Sequence, residues 1–577
     1  MEIKWIIKSS NKDEALDIST KYNIPYILVK ILLDRNRNKD EIYDLFYNRN
    51  KLYIEPANLI NSAKVAAKIE ICINSNSDIC IVPDYDSDGL NSCYIIYNVI
   101  NDAIIKSNSR SKVSISYSSR KNGFGIWDGY VEDKIKEYNN SKEKPLIITV
   151  DNGTAHSKQI NKLIKNGFDV AVIDHHDSIN DTPECLICNP CNKAEEQNQY
   201  KHLCAAGVVY KVCEMIGNIF GLEDINKYKC NVALATITDM MPLTNENLAF
   251  VLDGMNILNS DSCLDGFKMM KYINGIDYLI PRDIGWVIGP RINVCSRLDN
   301  TELGYKLISN TSLLDSAKIN NEIENLNNVK KEYVSNIMGN IKEMNFDDTL
   351  IPIIIIDNLI TGLISIIANQ VLSLFKKPCI ILGKNNNILT GSIRSIGNID
   401  ILEMLKIEYD KGLILNYGGH PKAAGVSFDY KNLDEISKDF NEYLYNIYAN
   451  AEEEESVITI DNTIDIKDLN SINYYNINYL PYNNEDFTQP IFCMMNCFVV
   501  NAYPTKSNPD NIWLELCQNN MKIKLWCRNF AEKYTELNCP QYINIVGYFE
   551  KNFMDNGYPY ILNVIDIKDV KEEICYE

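Results

Sequence analysis

Three apolar runs in this chain each end directly on an acidic residue: Ile79 to Pro83 before Asp84, Leu146 to Val150 before Asp151, and Val170 to Ile173 before Asp174. From Ile79 to about Lys271, short β-branched runs alternate with helical patterns, which predicts βαβ units around a parallel sheet. In an open sheet of that type, ligands sit beyond the carboxyl ends of the strands. The three acids are therefore expected to converge on one site.

The first acid opens Asp84-Tyr85-Asp86-Ser87-Asp88-Gly89, a spacing of two that puts alternate carboxylates on one side of an extended turn. An EF-hand loop begins with the same pattern, but its twelfth position would be Ile95 where a bidentate Glu is required. Carboxylates crowded beside an apolar strand repel one another unless a cation neutralises them. Asp174-His175-His176-Asp177 adds two adjacent imidazoles immediately after a strand, in a chain with only 5 histidines. Mixed His and Asp ligation suits Mn²⁺, Fe²⁺ or Zn²⁺, and Mg²⁺ where oxygen dominates.

These residues carry a family resemblance. Asp84 to Gly89, Val150-Asp151-Asn152-Gly153 and Asp174-His175-His176 resemble, in order, the first three motifs of the DHH phosphoesterases. Asp239, in Thr236-Ile237-Thr238-Asp239-Met240-Met241-Pro242-Leu243, stands where that family places a fourth acid before a Pro. Gly289-Pro290-Arg291-Ile292-Asn293, and Tyr117-Ser118-Ser119-Arg120 with Gly123-Phe124-Gly125, resemble signatures of the RecJ-like branch. Gly391-Ser392-Ile393-Arg394-Ser395 and Gly418-Gly419-His420-Pro421-Lys422-Ala423-Ala424-Gly425 are similar to those of the DHHA1 domain. Two positions depart from the pattern. Val82 stands where some members place a metal-binding His, and Leu359 to Ser365 lacks a Trp-His pair and a second Gly.

The resemblance implies a 5′→3′ exonuclease specific for single-stranded DNA, using two divalent ions, Mn²⁺ or Mg²⁺, in DNA repair and recombination. It implies Asp151 as the ligand shared by both ions, Asp86 with Asp84 nearby on one, and Asp88, His175 and Asp239 on the other. His176 would contact substrate phosphate. Arg120, Arg291, Arg297, Ser392, Arg394 and His420 would bind the phosphates and the 5′ end, arginine being suited to take two phosphate oxygens at once. The rival functions are a DHH oligoribonuclease or cyclic-dinucleotide phosphodiesterase, and a catalytically inactive replication scaffold.

At 577 residues, and roughly 100–200 residues per domain, about three to four domains are expected. The expected fold is two α/β domains and a C-terminal all-β OB-like barrel. In order these are an N-terminal segment 1–60, a DHH domain 61–302, a connecting helix 303–345, a DHHA1 domain 346–450 and an OB-fold-like domain 456–577. The helix is read from Ile319, Ile323, Leu326, Tyr333, Ile337 and Ile341 at helical spacing. The acidic run Glu452 to Glu455 reads as a solvated linker. Alternating segments at Ile512 to Leu516, Lys522 to Trp526 and Tyr542 to Tyr548 read as barrel strands, with Trp513, Trp526, Tyr548 and Phe549 as aromatics.

A net charge of −20 argues against coating nucleic acid through the overall field, so any contact with DNA must be local. Eighteen scattered cysteines and no secretory segment behind Met1 predict a cytoplasmic protein with free thiols. Cys185, Cys188 and Cys191 resemble the start of an iron–sulfur run, but Glu195 stands where the fourth Cys is needed. The apolar stretch Leu350 to Phe375 is broken by Pro352, Asp357, Asn358, Asn369 and Gln370, and reads as a strand and a buried helix rather than a membrane span. A monomer is expected, with a helicase and a single-strand-binding protein as partners.

Overall fold

A computed structural model of the chain describes residues 3–8, 11–177, 182–192, 200–243, 245–397, 399–450, 456–467, 480, 488–506, 508–551 and 560–576. The Glu452 to Glu455 run and Glu195 lie outside them.

The first sheet has five strands in the order Val113–Ile115, Ile79–Pro83, Leu146–Val150, Asp169–Ile173, Leu186–Cys188, all parallel. Ile79–Pro83 and Leu146–Val150 are buried at every position, as strands covered on both faces must be, which explains their apolar composition, Thr149 aside. At the carboxyl edge each acid ties its backbone N–H to the end of the neighbouring strand. Asp84 donates to the Val150 carbonyl (3.1 Å), Asp151 to Ile173 (3.0 Å) and Asp174 to Cys188 (3.1 Å). The ladder itself therefore sets the three acids in a row. Helices of the N-terminal segment join the same apolar core through Ile18, Leu28, Leu32 and Leu45.

Residues 303–345 hold two helices where one was expected. Thr301–Ser309 ends, and a 30-residue helix Leu313–Lys342 begins under a Ser312 cap whose hydroxyl accepts from the Asp315 N–H (3.4 Å). Ile323, Val334, Met338 and Ile341 form its buried stripe. The second sheet runs Ile414–His420, Ala423–Asp429, Ile388–Arg394, Cys379–Asn385, Ile353–Ile356, antiparallel except for its last pair. The Leu350 to Phe375 stretch resolves into strand Ile353–Ile356 and helix Ile364–Phe375. Among the described residues no helix is long and apolar enough to cross a membrane.

The C-terminal region is an antiparallel sheet in the order Met521–Cys527, Ile512–Gln518, Phe492–Pro504, Tyr542–Lys551, Tyr560–Asp569, which contains the three segments expected as strands. Nothing in the sequence foreshadowed its link to the other end of the chain. Lys4–Ile7 pairs in parallel with Val457–Ile460 on one side and Cys575–Tyr576 on the other. Trp5 is fully buried there and donates its indole N–H to Asp566 (2.9 Å).

Candidate metal centre and phosphate-binding wall

Asp86 caps the helix Ser87–Ser107, its Oδ1 accepting from the N–H groups of Asp88 (3.0 Å) and Gly89 (3.2 Å). The turn between strand and helix is so tight that a Cβ on Gly89 would stand 2.5 Å from the Asp84 carbonyl oxygen. This explains the glycine at the end of the motif. Asp88, one residue earlier, points across to a second helix, Ala205–Phe220. That helix offers its first N–H groups to both carboxylate oxygens, Ala205 to Oδ2 (2.7 Å) and Ala206 to Oδ1 (2.8 Å).

Asp151 sits in the left-handed region (φ 62°), which lifts its side chain off the strand end towards the neighbouring acids. Its neighbour Asn152 donates to the carbonyls of Val82 (3.0 Å) and Val150 (2.9 Å), stitching the two central strand ends together. Asp239 follows the last residue of helix Lys229–Thr238. The helix Gly289–Arg297 fixes this corner. A Cβ on Gly289 would meet Thr238 at 2.5 Å, and the Asn293 side-chain Oδ1 accepts from the Ser87 N–H (3.0 Å). The Gly-Pro-Arg-x-Asn signature thus braces both the first acidic turn and the fourth acid.

Three sets of side chains bring potential ligand atoms within 4.8 Å of one another: Asp84, Asp86 and Asp151; Asp88, His175 and Asp239; and Asp151, His175 and His176. His175 Nε2 lies 3.3 Å from Asp151, 3.7 Å from Asp88 and 3.7 Å from Asp239. Asp84 Oδ1 and Asp151 Oδ1 are buried and make no hydrogen bond. Burial, and then the charges of the neighbouring acids, push the carboxyls of Asp84, Asp151 and Asp239 well above the ordinary range, and Asp88 up to about 7. Orphaned oxygens in a cage of mutually repelling acids fit a divalent cation, which takes such oxygens as ligands and removes the repulsion.

Asp174, although it ends a strand like the other two, has a different task. It accepts from the N–H groups of Thr154 (3.0 Å), His175 (2.8 Å) and His176 (3.3 Å) and from His176 Nδ1 (2.8 Å). Burial alone would raise its pKa, but the hydrogen bond and charge of His176 and the charge of His175 outweigh it, and the carboxyl is held well below its usual range. Burial lowers the pKa of His176 and Asp174 raises it; Asp174 wins, taking His176 up to about 9. His175, buried and next to His176, is pushed down to about 4, which makes it a neutral imidazole at neutral pH.

The loop after Val113–Ile115 covers the site. Arg120 stacks on Tyr85, its guanidinium carbon 4.5 Å from the ring centroid, and its Nε is buried without a partner. Phe124 packs edge-on against Tyr85 and His176 and stacks with His156 (centroids 5.6 Å apart), whose Nε2 meets the Phe124 carbonyl at 3.0 Å. His156 was not anticipated. A lone His just before a helix, at the cap of Ser157–Lys165, carried no signal of its own.

The remaining expected phosphate ligands separate into two kinds. Ser392 and Arg394 lie on one face of the second sheet. Arg394 donates to Ser392 Oγ (2.6 Å), the Ile393 carbonyl (2.8 Å) and Asn369 (2.6 Å). His420, Ala423 and Arg394 share one cross-strand row, and Gly418, Gly425 and Ser392 another, so the glycines leave bare backbone beside these side chains. Arg297 reaches from the first α/β region to the second, donating to the Gly362 carbonyl (2.8 Å) and Ser365 Oγ (3.0 Å). Arg291 corrects an expectation. Its guanidinium is spent on Glu324, Asn274 (2.7 Å) and the Val287 carbonyl (3.0 Å), which makes it a scaffold residue. Among the described residues no cysteine belongs to a group able to hold a metal, and Cys188 is fully buried in its strand.

Known proteins share both the sequence pattern and the fold that builds this site. The DHH family, N-terminal domain, matches residues 78–238 and the DHHA1 domain matches residues 351–446. The single-stranded-DNA-specific exonuclease RecJ of Bacillus subtilis (strain 168) is 24% identical over 459 residues, covering 76% of this chain but 55% of that protein, so the chain spans about half of that relative. The protein of the same name from Haemophilus influenzae is 25% identical over 474 residues, covering 76% of this chain and 77% of its own. RecJ of Thermus thermophilus, crystallised in complex with Mn²⁺, superposes with a TM-score of 0.79 at 19% identity, covering 99% of this chain and 80% of that one.

Proposed function

The chain is a RecJ-like DHH/DHHA1 protein, and from that premise we propose that it is a single-stranded-DNA-specific 5′→3′ exonuclease that hydrolyses phosphodiesters with two divalent ions. The observation that carries this reading is the cage of buried acids around Asp151, with unpartnered oxygens on Asp84 and Asp151. On this reading Asp151 is shared between two ligand sets, Asp84 and Asp86 completing one and Asp88, His175 and Asp239 the other. When bound, Mn²⁺ or Mg²⁺ supplies charge neutralisation and water activation at neutral pH.

The chain's own residues orient and hold. Asp174 fixes the orientation of the His176 ring by accepting from Nδ1, which leaves the Nε2–H, on a ring charged at neutral pH, for a phosphate oxygen. The Ala205 and Ala206 N–H groups aim Asp88. Arg120, Arg297, Ser392, Arg394 and His420 form the opposing wall that receives the 5′-terminal phosphates. The 30-residue helix joins a DHH domain at about 61–302 to a DHHA1 domain at about 346–450, and the C-terminal sheet acts as an OB-like single-strand platform. A cytoplasmic monomer that accepts strands from a helicase completes the picture, and the 18 free cysteines suit a reducing compartment.

The test is directional. A single strand labelled at one end and incubated with the chain and Mn²⁺ should lose a 5′ label first. Loss of a 3′ label first would overturn the polarity.

A further inference from the structure

The loop that carries Arg120 and Phe124 is anchored near its stem, where the buried Ser118 hydroxyl donates to the Pro83 carbonyl (3.0 Å) and the Lys121 N–H to Asp299 (3.3 Å). Its tip has less of its own to hold it. Phe124 stands between Gly123 and Gly125, both in left-handed conformations (φ 111° and 59°), and glycine leaves a chain freer than any other residue. The Phe124 ring is nevertheless placed, edge-on to Tyr85 (6.1 Å between centroids) and to His176 (5.9 Å).

His156, outside the loop, meets this tip from two sides. Its Nε2 lies 3.0 Å from the Phe124 carbonyl oxygen, and since a carbonyl has no hydrogen to give, Nε2 carries the proton. Its ring lies against the Phe124 ring at an interplanar angle of 25°. The Gly125 backbone closes on the same imidazole, so that a Cβ there would stand 2.9 Å from His156 Cε1 and 2.8 Å from the Asn152 Cβ. Gly125 in turn helps to hold the Asp84 carboxyl in its charged form, its N–H working against the burial that raises that pKa.

The helix that follows gains nothing from this side chain. His156 occupies the cap position of Ser157–Lys165, where a Ser, Thr, Asp or Asn would accept from the free N–H groups, and its ring makes no such bond. Its Nδ1 is buried without a partner, a deficit that folded chains seldom carry. Both deficits are accounted for by what the ring does to the loop.

We propose that His156 is a positioning residue for this site: its Nε2–H, bonded to the Phe124 carbonyl, pins the loop tip so that the Phe124 ring braces His176 and Tyr85, on which the Arg120 guanidinium rests. A misplaced binding group costs rate even where every reacting group is present. The consequence for catalysis rests on the nuclease reading; the pinning of the loop does not.

The experiment sets two variants of the full chain against each other, with Mn²⁺ and an oligo(dT) of about 15 nucleotides. His156→Phe keeps a ring for Phe124 to lie against but removes the donor, and should lower kcat/KM about tenfold. His156→Gln loses the ring but carries an amide nitrogen at the reach of Nε2, and should stay within about threefold of wild type. The opposite order, with Phe active and Gln impaired, would mean that the ring only fills space and overturns the proposal. Should His156→Phe not fold, a folded His156→Gln decides alone, near wild-type activity sustaining the donor and a tenfold loss removing it. In chelator without DNA, amide hydrogen exchange over residues 122–125 should be about five- to tenfold faster in His156→Phe and unchanged in His156→Gln. Equal exchange in all three proteins removes the clamp. If the wild-type chain cuts no single strand, the nuclease reading falls and the exchange rates decide the clamp by themselves.

Discussion

The carboxyl edge of the first sheet and the cationic wall that faces it are built on different principles. Asp84, Asp151 and His175 owe their places to short local rules: a strand ends, the next N–H bonds to the neighbouring strand, and the side chains there project over the sheet edge. The cations have no such rule. Arg291 is consumed by Glu324, Arg297 spends one nitrogen joining two regions, and Lys330, which no motif contains, has no hydrogen bond or ion pair among the described residues. A ligand cage can be written into a few consecutive residues, whereas a binding wall is decided only when distant segments meet and some charges are neutralised internally.

If that contrast is right, substitutions on the two sides should fail differently. The largest effect is expected at the cage. Asp88→Asn keeps the shape and one of the two hydrogen bonds from Ala205 and Ala206 but removes the charge. It should lower kcat for single-strand hydrolysis by about 10³-fold, because a bound ion contributes several kcal/mol of charge stabilisation. Steady-state kinetics with Mn²⁺ would show it, and a loss confined to KM would place Asp88 outside the cage.

A smaller effect, of a different kind, is expected from the wall. Arg120→Ala should raise KM by about 10–100-fold with little change in melting temperature, since its guanidinium rests on a ring and its Nε has no protein partner. Arg291→Ala should do the reverse, destabilising the fold by about 2 kcal/mol as Glu324 and Asn274 lose their donor, while KM moves little. Thermal melts beside kinetics separate the two, and matching profiles would erase the distinction drawn between them.

The smallest effect is one of pH. Asp88, pushed to about 7 by burial and then by Asp86, holds a proton in the folded metal-free chain that the unfolded chain releases above its ordinary 3.8. The stability it contributes is complete below about pH 4 and is lost as pH rises through about 7. Melting temperature in chelator should therefore fall between about pH 4 and about pH 7, and Mn²⁺ should restore it at the upper end by replacing the proton. A flat profile in chelator would mean that the cage is less crowded than its geometry indicates.

The same contrast governs what could be read in advance. The parallel sheet was legible because strands buried on both faces are apolar runs, Thr149 aside, and its acids were legible because each run stops on one. Asp174 looked identical to Asp84 and Asp151 in sequence. Only its four hydrogen bonds identify it as the residue that aims His176. His156 was illegible because its role depends on Phe124 arriving from another loop. The strand Lys4–Ile7 could not be assigned either, since its partners are Val457–Ile460 and Cys575–Tyr576, at the far end of the chain. The break before Leu313 was illegible because the helical spacing that marks the connecting helix begins only at Ile319.

The central claim is that the cage around Asp151 performs the chemistry, and Asp151→Ala tests it most directly. Single-stranded DNA incubated with this variant and Mn²⁺ should remain intact over times in which the wild-type chain digests it, with the melting temperature in chelator no lower than wild type because a buried repelling carboxyl has been removed. Undiminished Mn²⁺-dependent digestion by a folded Asp151→Ala protein would contradict the account.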